Sequence, residues 1–161
     1  MRILCYGDSD TYGHDPRSPL GKPYPPDVRW TDRLARATGW EVLNAGLNGR
    51  EIPHLPGELR DAEALFAAAS PFDQAVVFLG SNDMMQGLSA QEVAARMEAF
   101  LGRLTAYPLL LLTPVPMVSG TWVTEERLVT ESAKLADYYK ALARRLGIHY
   151  ANPGAWDIEM A

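Results

Sequence analysis

Residues 2–13 read RILCYGDSDTYG. After Arg2 the run Ile3-Leu4-Cys5-Tyr6 is apolar without alternation, as in a strand buried on both faces, which is the habit of a parallel sheet. Directly behind it Gly7-Asp8-Ser9-Asp10 sets a hydroxyl between two carboxylates. Parallel sheets bind ligands beyond the carboxyl ends of their strands, so the position of this polar cluster bears on function as well as fold.

Further apolar runs lie at Glu41 to Asn44, Gln74 to Leu79, Leu109 to Thr113 and Ile148 to Ala151, and segments with helical spacing separate them. Trp30, Leu34 and Ala37 share one face of a first helix, with a start signal at Pro26-Asp27 and a stop at Gly39. A second helix is expected within Glu58 to Ala69. Ser89 and Glu92 form a capping box ahead of Val93, Met97, Phe100, Leu101 and Leu104, which recur at helical spacing. Leu128, Leu135, Tyr139, Leu142 and Leu146 mark the last helix, which should stop at Gly147. Five short strands and four amphipathic helices predict one α/β domain over residues 1–161, with a five-stranded parallel sheet between two helical layers.

The 161 residues suffice for one sizeable core. The net charge of -5, without a Lys/Arg block, argues against nucleic acid as a partner. A single cysteine, Cys5, leaves no intrachain disulfide to form. The longest apolar run, near Pro108 to Val118, carries three prolines and falls short of the roughly 20 residues of a membrane span. With no leader-like N-terminus, a cytoplasmic location is expected.

Three strand ends carry unusual chemistry: Gly7-Asp8-Ser9-Asp10, Asn44-Ala45-Gly46-Leu47-Asn48-Gly49-Arg50 and Gly80-Ser81-Asn82-Asp83. Any one of them is accounted for by turn formation. Together they supply a hydroxyl, a glycine-rich backbone and a side-chain amide, the parts needed to attack a carbonyl and hold its oxyanion.

These blocks resemble those of the SGNH (GDSL-type) hydrolases, and Asp27-Val28-Arg29-Trp30-Thr31 and Thr113-Pro114-Val115-Pro116 are similar to the arylesterase-like branch. The resemblance implies a flavodoxin-like sheet and a carboxylic ester hydrolase that needs no cofactor or metal. It makes Ser9 the nucleophile, with its own N–H, the Gly49 N–H and the Asn82 side chain as oxyanion donors. Asp8 would brace the loop. Asp10, His14, Asn48 and Pro114 are placed as contacts to a small ester substrate with a short acyl group.

The family also takes a catalytic His, with an Asp three residues before it, from a block near its C-terminus. This sequence ends at Trp156-Asp157-Ile158-Glu159-Met160-Ala161, and none of His14, His54 and His149 has an Asp at that spacing. A serine without a base is a poor nucleophile, so the chain as written is expected to be nearly inactive. Truncation before a final helix is the favoured explanation, and self-association through the sheet face left bare is its corollary. His14 is the alternative base, although lining the pocket is its expected role. His149 is expected at the core or edge of the last strand, and His54 in an exposed loop. Two rival readings stay open: an Mg²⁺-dependent aspartate-nucleophile phosphatase, suggested by Asp8-Ser9-Asp10-Thr11, and a non-catalytic small-molecule-binding protein.

Overall fold

The computed structural model describes residues 1–20, 22–25, 28–120 and 123–155. The Pro26-Asp27 start signal and the segment Trp156 to Ala161 lie outside the described residues. Strands β1 (Arg2–Gly7), β2 (Glu41–Gly46), β3 (Gln74–Phe78), β4 (Leu109–Leu112) and β5 (His149–Ala151) form one parallel sheet in the order β2-β1-β3-β4-β5. Chain direction across the sheet reverses at β1, so the β1 and β3 ends open onto the topological switch point.

Expected strand limits differ from the observed ones in ways the contacts explain. The run expected to end at Asn44 continues through Ala45 and Gly46, which pair with Tyr6 and Gly7. The Asn44 side chain makes this possible by turning its amide aside: Nδ2 donates to the Thr11 carbonyl at 2.6 Å and to Thr31 Oγ1 at 2.9 Å, and Oδ1 accepts the Gly46 N–H. The second helix, α3 (Pro56–Ala69), starts two residues before Glu58. Proline suits a first helical turn because its missing N–H would be unpaired there anyway. The Glu58 carboxylate takes up the N–H groups of Leu55 and His54.

Alternation along the strands divides the apolar residues between two layers. Leu4, Tyr6, Val77 and Leu111 join Phe66 of α3, Met97 and Phe100 of α5 (Ala90–Gly102), and Leu135, Tyr139 and Leu142 of α6 (Glu126–Leu146) in the larger core. Ile3, Cys5, Val76 and Leu112 face the other way, against Trp30 of α2 (Trp30–Thr38), Trp40 and Val42. Burial pushes the Cys5 thiol up to about 12, which makes it an inert packing residue. On this second face a groove of about 340 Å³ runs between Trp30, Phe78, Leu112, Val115 and Pro153.

Helix ends follow their signals. Gly39 and Gly147 adopt left-handed φ values of 72° and 68° after α2 and α6, and Ser89 with Glu92 closes a reciprocal cap on α5. No helix among the described residues is long and apolar enough to cross a membrane.

The fully buried Tyr139 ties the last helix to the end of β3, its hydroxyl donating to the Leu79 carbonyl at 2.9 Å. Tyr139→Phe strands that carbonyl without a partner and should lower stability by about 1–3 kcal/mol, measured as a shift in the urea midpoint at unchanged slope.

Candidate active site

The polar cluster behind β1 folds into a single turn of helix, α1 (Ser9–Tyr12). Asp8 is its cap: the carboxylate accepts the Asp10 N–H at 3.0 Å, and Gly13, at φ 81°, closes the other end. The turn rests directly on the sheet because two β-carbons are missing. A Cβ on Gly7 would overlap the Thr11 side chain, and one on Gly46 would overlap the backbone of Tyr12. Ser9 is thereby held at the carboxyl edge, half-buried, while Asp8 is 3% exposed and Asp10 faces outward.

Behind β3 lies the second short helix, α4 (Ser81–Met85), whose Asn82 amide reaches across the switch point. Asn82 Nδ2 lies 3.4 Å from Asp8 Oδ2 and donates to the Arg50 carbonyl at 3.1 Å. The side chain therefore touches both the Ser9 loop and the Gly49 loop. Arg50 fastens the latter from below. Its guanidinium donates to the Gly7 carbonyl at 3.0 Å and to the Ala45 carbonyl, and it stacks 4.2 Å from the Tyr6 ring centroid. Gly49 itself is exposed at φ 76°, a backbone state that side chains rarely adopt.

Two cavities flank the cluster. One, of about 250 Å³, is lined by Ser9, Asp10, His14, Tyr24, Arg29 and Trp30, among others. The second, of about 330 Å³, includes Tyr6, Asn48, Gly49, Arg50 and Glu51 in its wall. His14 of the first and Asn48 of the second stand 3.4 Å apart, Nδ1 to Nδ2. Pro114 is buried and lines neither cavity. His54 lies in a loop as expected but is half-buried rather than exposed, its Nδ1 2.8 Å from the Ile52 carbonyl and 3.4 Å from Glu58 Oε1. His149 is exposed on β5, the outermost strand.

Several residues that organise the cluster have no motif to betray them. Arg50 and Asp83 sit inside the quoted blocks, but nothing in their spacing foretells what they touch. Asp83 is fully buried and accepts the Ile52 N–H at 3.1–3.2 Å and Arg96 Nη1 at 3.0 Å. Burial pushes its carboxyl up, and the Ile52 N–H and the Arg96 guanidinium pull against that. Arg96 is one of several charges on α5, and only the fold singles it out.

Burial pushes the Asp8 carboxyl from its ordinary value up to about 7. The negative charge of Asp10 adds to the rise, the Asp10 N–H and Asp8's own N–H oppose it, and Asp83 contributes a little more upward. A carboxyl raised in the fold holds its proton there after the unfolded chain has lost it. Its contribution to stability is thus complete below about pH 4 and is lost as pH climbs through about 7. Asp8→Asn removes this dependence. Relative to the parent chain, the variant should gain on the order of 2–4 kcal/mol between pH 4 and pH 8, read from urea unfolding at each pH.

Residues 5–160 match the GDSL-like Lipase/Acylhydrolase family. The M. smegmatis aryl esterase superposes with a TM-score of 0.82 at 26% identity, over 96% of this chain and 84% of that one. A carbohydrate acetylesterase family member from Sinorhizobium meliloti does so with a TM-score of 0.81 at 26% identity, over 96% and 83%. Comparison with curated proteins gave no match. A sheet that turns at β1, a serine on the helical turn behind it and an asparagine reaching over from β3 fit that family match, and the chain belongs to the GDSL-like lipase/acylhydrolase family.

Proposed function

We propose that this member of an ester-hydrolysing family attacks carboxylic esters with the Ser9 hydroxyl and passes through an acyl-enzyme that water releases. Peptide hydrogens of Ser9 and Gly49 and the Asn82 amide are the donors for the tetrahedral oxyanion. The observation that carries the reading is the Asn82 side chain, which comes from α4, behind another strand, and bridges Asp8 and the Arg50 carbonyl. A turn-forming asparagine has no need to reach so far.

The ~250 Å³ cavity beside Ser9, with Tyr24 and Trp30 in its wall, suits a ring-bearing alcohol, aryl or sugar, carrying a short acyl group. The two superposed proteins, an aryl esterase and a carbohydrate acetylesterase family member, support the same pair of alcohols. Asp10 and His14 line that cavity and Asn48 the neighbouring one, so the three are proposed as substrate contacts. The aspartate-nucleophile alternative is disfavoured because Asp8 is buried and spent on the α1 cap.

Turnover should be slow. His14 lies 3.4 Å from Asn48, His54 pairs with Ile52 and Glu58, and His149 stands on an edge strand; none of the hydrogen bonds among the described residues joins an imidazole to the Ser9 hydroxyl. A fluorophosphonate probe tests the reading through mass spectrometry of the modified peptide. The parent chain is expected to label slowly at Ser9, Ser9→Ala not at all, and Asn82→Ala about 10²-fold more slowly than the parent. Labelling elsewhere, an unchanged rate in Asn82→Ala, or Mg²⁺-dependent phosphatase activity that survives Ser9→Ala would each overturn it.

A further inference from the structure

We infer that Arg96, which lies on α5 outside the catalytic blocks, is a positioning residue that sets the geometry between the two loops supplying the oxyanion donors. This rests on the reading of Gly49 and Asn82 given above. The two loops belong to different crossovers, one following β2 and the other following β3, and because β1 lies between those strands the ladder makes no direct bond from one loop to the other.

Arg96 Nη1 closes that gap. The nitrogen donates to Asp83 Oδ1 at 3.0 Å, on the α4 side, and to Glu51 Oε1 at 3.3 Å, on the Gly49-loop side. Asp83 in turn takes the Ile52 N–H on both its oxygens. Asn82 precedes Asp83, and its amide donates to the carbonyl of Arg50, which precedes Glu51. The two loops are therefore joined twice, by Asn82 to Arg50 and by Asp83 to Ile52, with one guanidinium nitrogen clamping the second joint.

Burial gives the clamp its force. Asp83 is inaccessible to solvent and the Arg96 side chain is 20% exposed, so the pair acts with little screening. Without the cation Asp83 keeps the Ile52 N–H and its own N–H but no opposite charge, and the joint can open. An opened joint moves the Asn82 amide relative to Gly49, and a misplacement of about 1 Å in a reacting geometry can cost about 10²-fold in rate.

The test is a double-mutant cycle on the fluorophosphonate labelling rate of Ser9, with thermal melts run beside it. Arg96→Met is expected to slow labelling about tenfold, and Arg96→Lys, which keeps a cation between the two carboxylates, to restore most of the rate. In an Asn82→Ala background Arg96→Met should cost less than about twofold, because the donor it positions is already gone. A residue that only stabilises the fold would instead cost the same in both backgrounds, and that result overturns the inference.

Because Arg96→Met leaves Asp83 bare, the neutral pair Asp83→Asn with Arg96→Met is carried through the same cycle, so a failure to fold cannot decide the matter. A parent rate in the Arg96 variants, with Asn82→Ala still slow, refutes the role of Arg96 alone. A parent rate in Asn82→Ala removes the oxyanion reading beneath it as well.

Discussion

The site depends on a close approach that two glycines permit. Gly7 and Gly46 lie opposite each other at the ends of β1 and β2, and the space their missing β-carbons leave is filled by Thr11 and the backbone of Tyr12. The turn that carries Ser9 is pressed onto the sheet edge as a result. Any side chain at either position would lift that turn, and with it the Asp8 cap, away from the reach of Asn82. Conformational freedom is not the point at Gly7 and Gly46, since neither has a positive φ; the constraint is volume.

Holding polar groups this closely costs stability, and the structure offsets the cost with hydrogen bonds and opposite charges rather than with solvent. Asp8, Asp83 and Arg50 are all withdrawn from water to some degree. Each is bonded to backbone groups of a loop other than its own or to its own helix cap: Asp83 to Ile52, Arg50 to Gly7 and Ala45, Asp8 to Asp10. Buried polar networks of this kind specify one loop arrangement more than they add stability. Pre-ordered donors are what a site that must receive a developing negative charge requires, because they need no rearrangement during the reaction.

The two faces of the sheet are not equivalent. Three long helices close over Leu4, Tyr6, Val77 and Leu111, whereas α2 is the one described helix that packs into the second layer. The apolar groove between Trp30, Phe78 and Leu112 belongs to that thinner side. Trp30 also walls the cavity beside Ser9, so the packing of this face and the shape of the site share a residue. Its indole N–H donates to the Asp10 carbonyl at 3.2 Å, which links α2 to the α1 turn.

Strand runs, helix caps and the three strand-end blocks were legible from residue order alone, because periodicity, capping and turn chemistry act over a few neighbours. The end of β2 shows where such reading stops: Ala45 and Gly46 have the look of loop residues, and the Asn44 side chain that bonds the Gly46 N–H is itself held by Thr11, far away in sequence. The start of α3 at Pro56 precedes the Glu58 signal because the partners of that carboxylate, His54 and Leu55, lie upstream of it. The sequence by itself determined the α/β class, Ser9 at a strand end and the family blocks, all of them local or short-range properties. Only the tertiary structure decided that Asn82 meets Asp8 and Arg50, that Asp83 is withdrawn from solvent, and that one arginine on α5 joins two loops, because these depend on which chain segments the β2-β1-β3 order brings side by side.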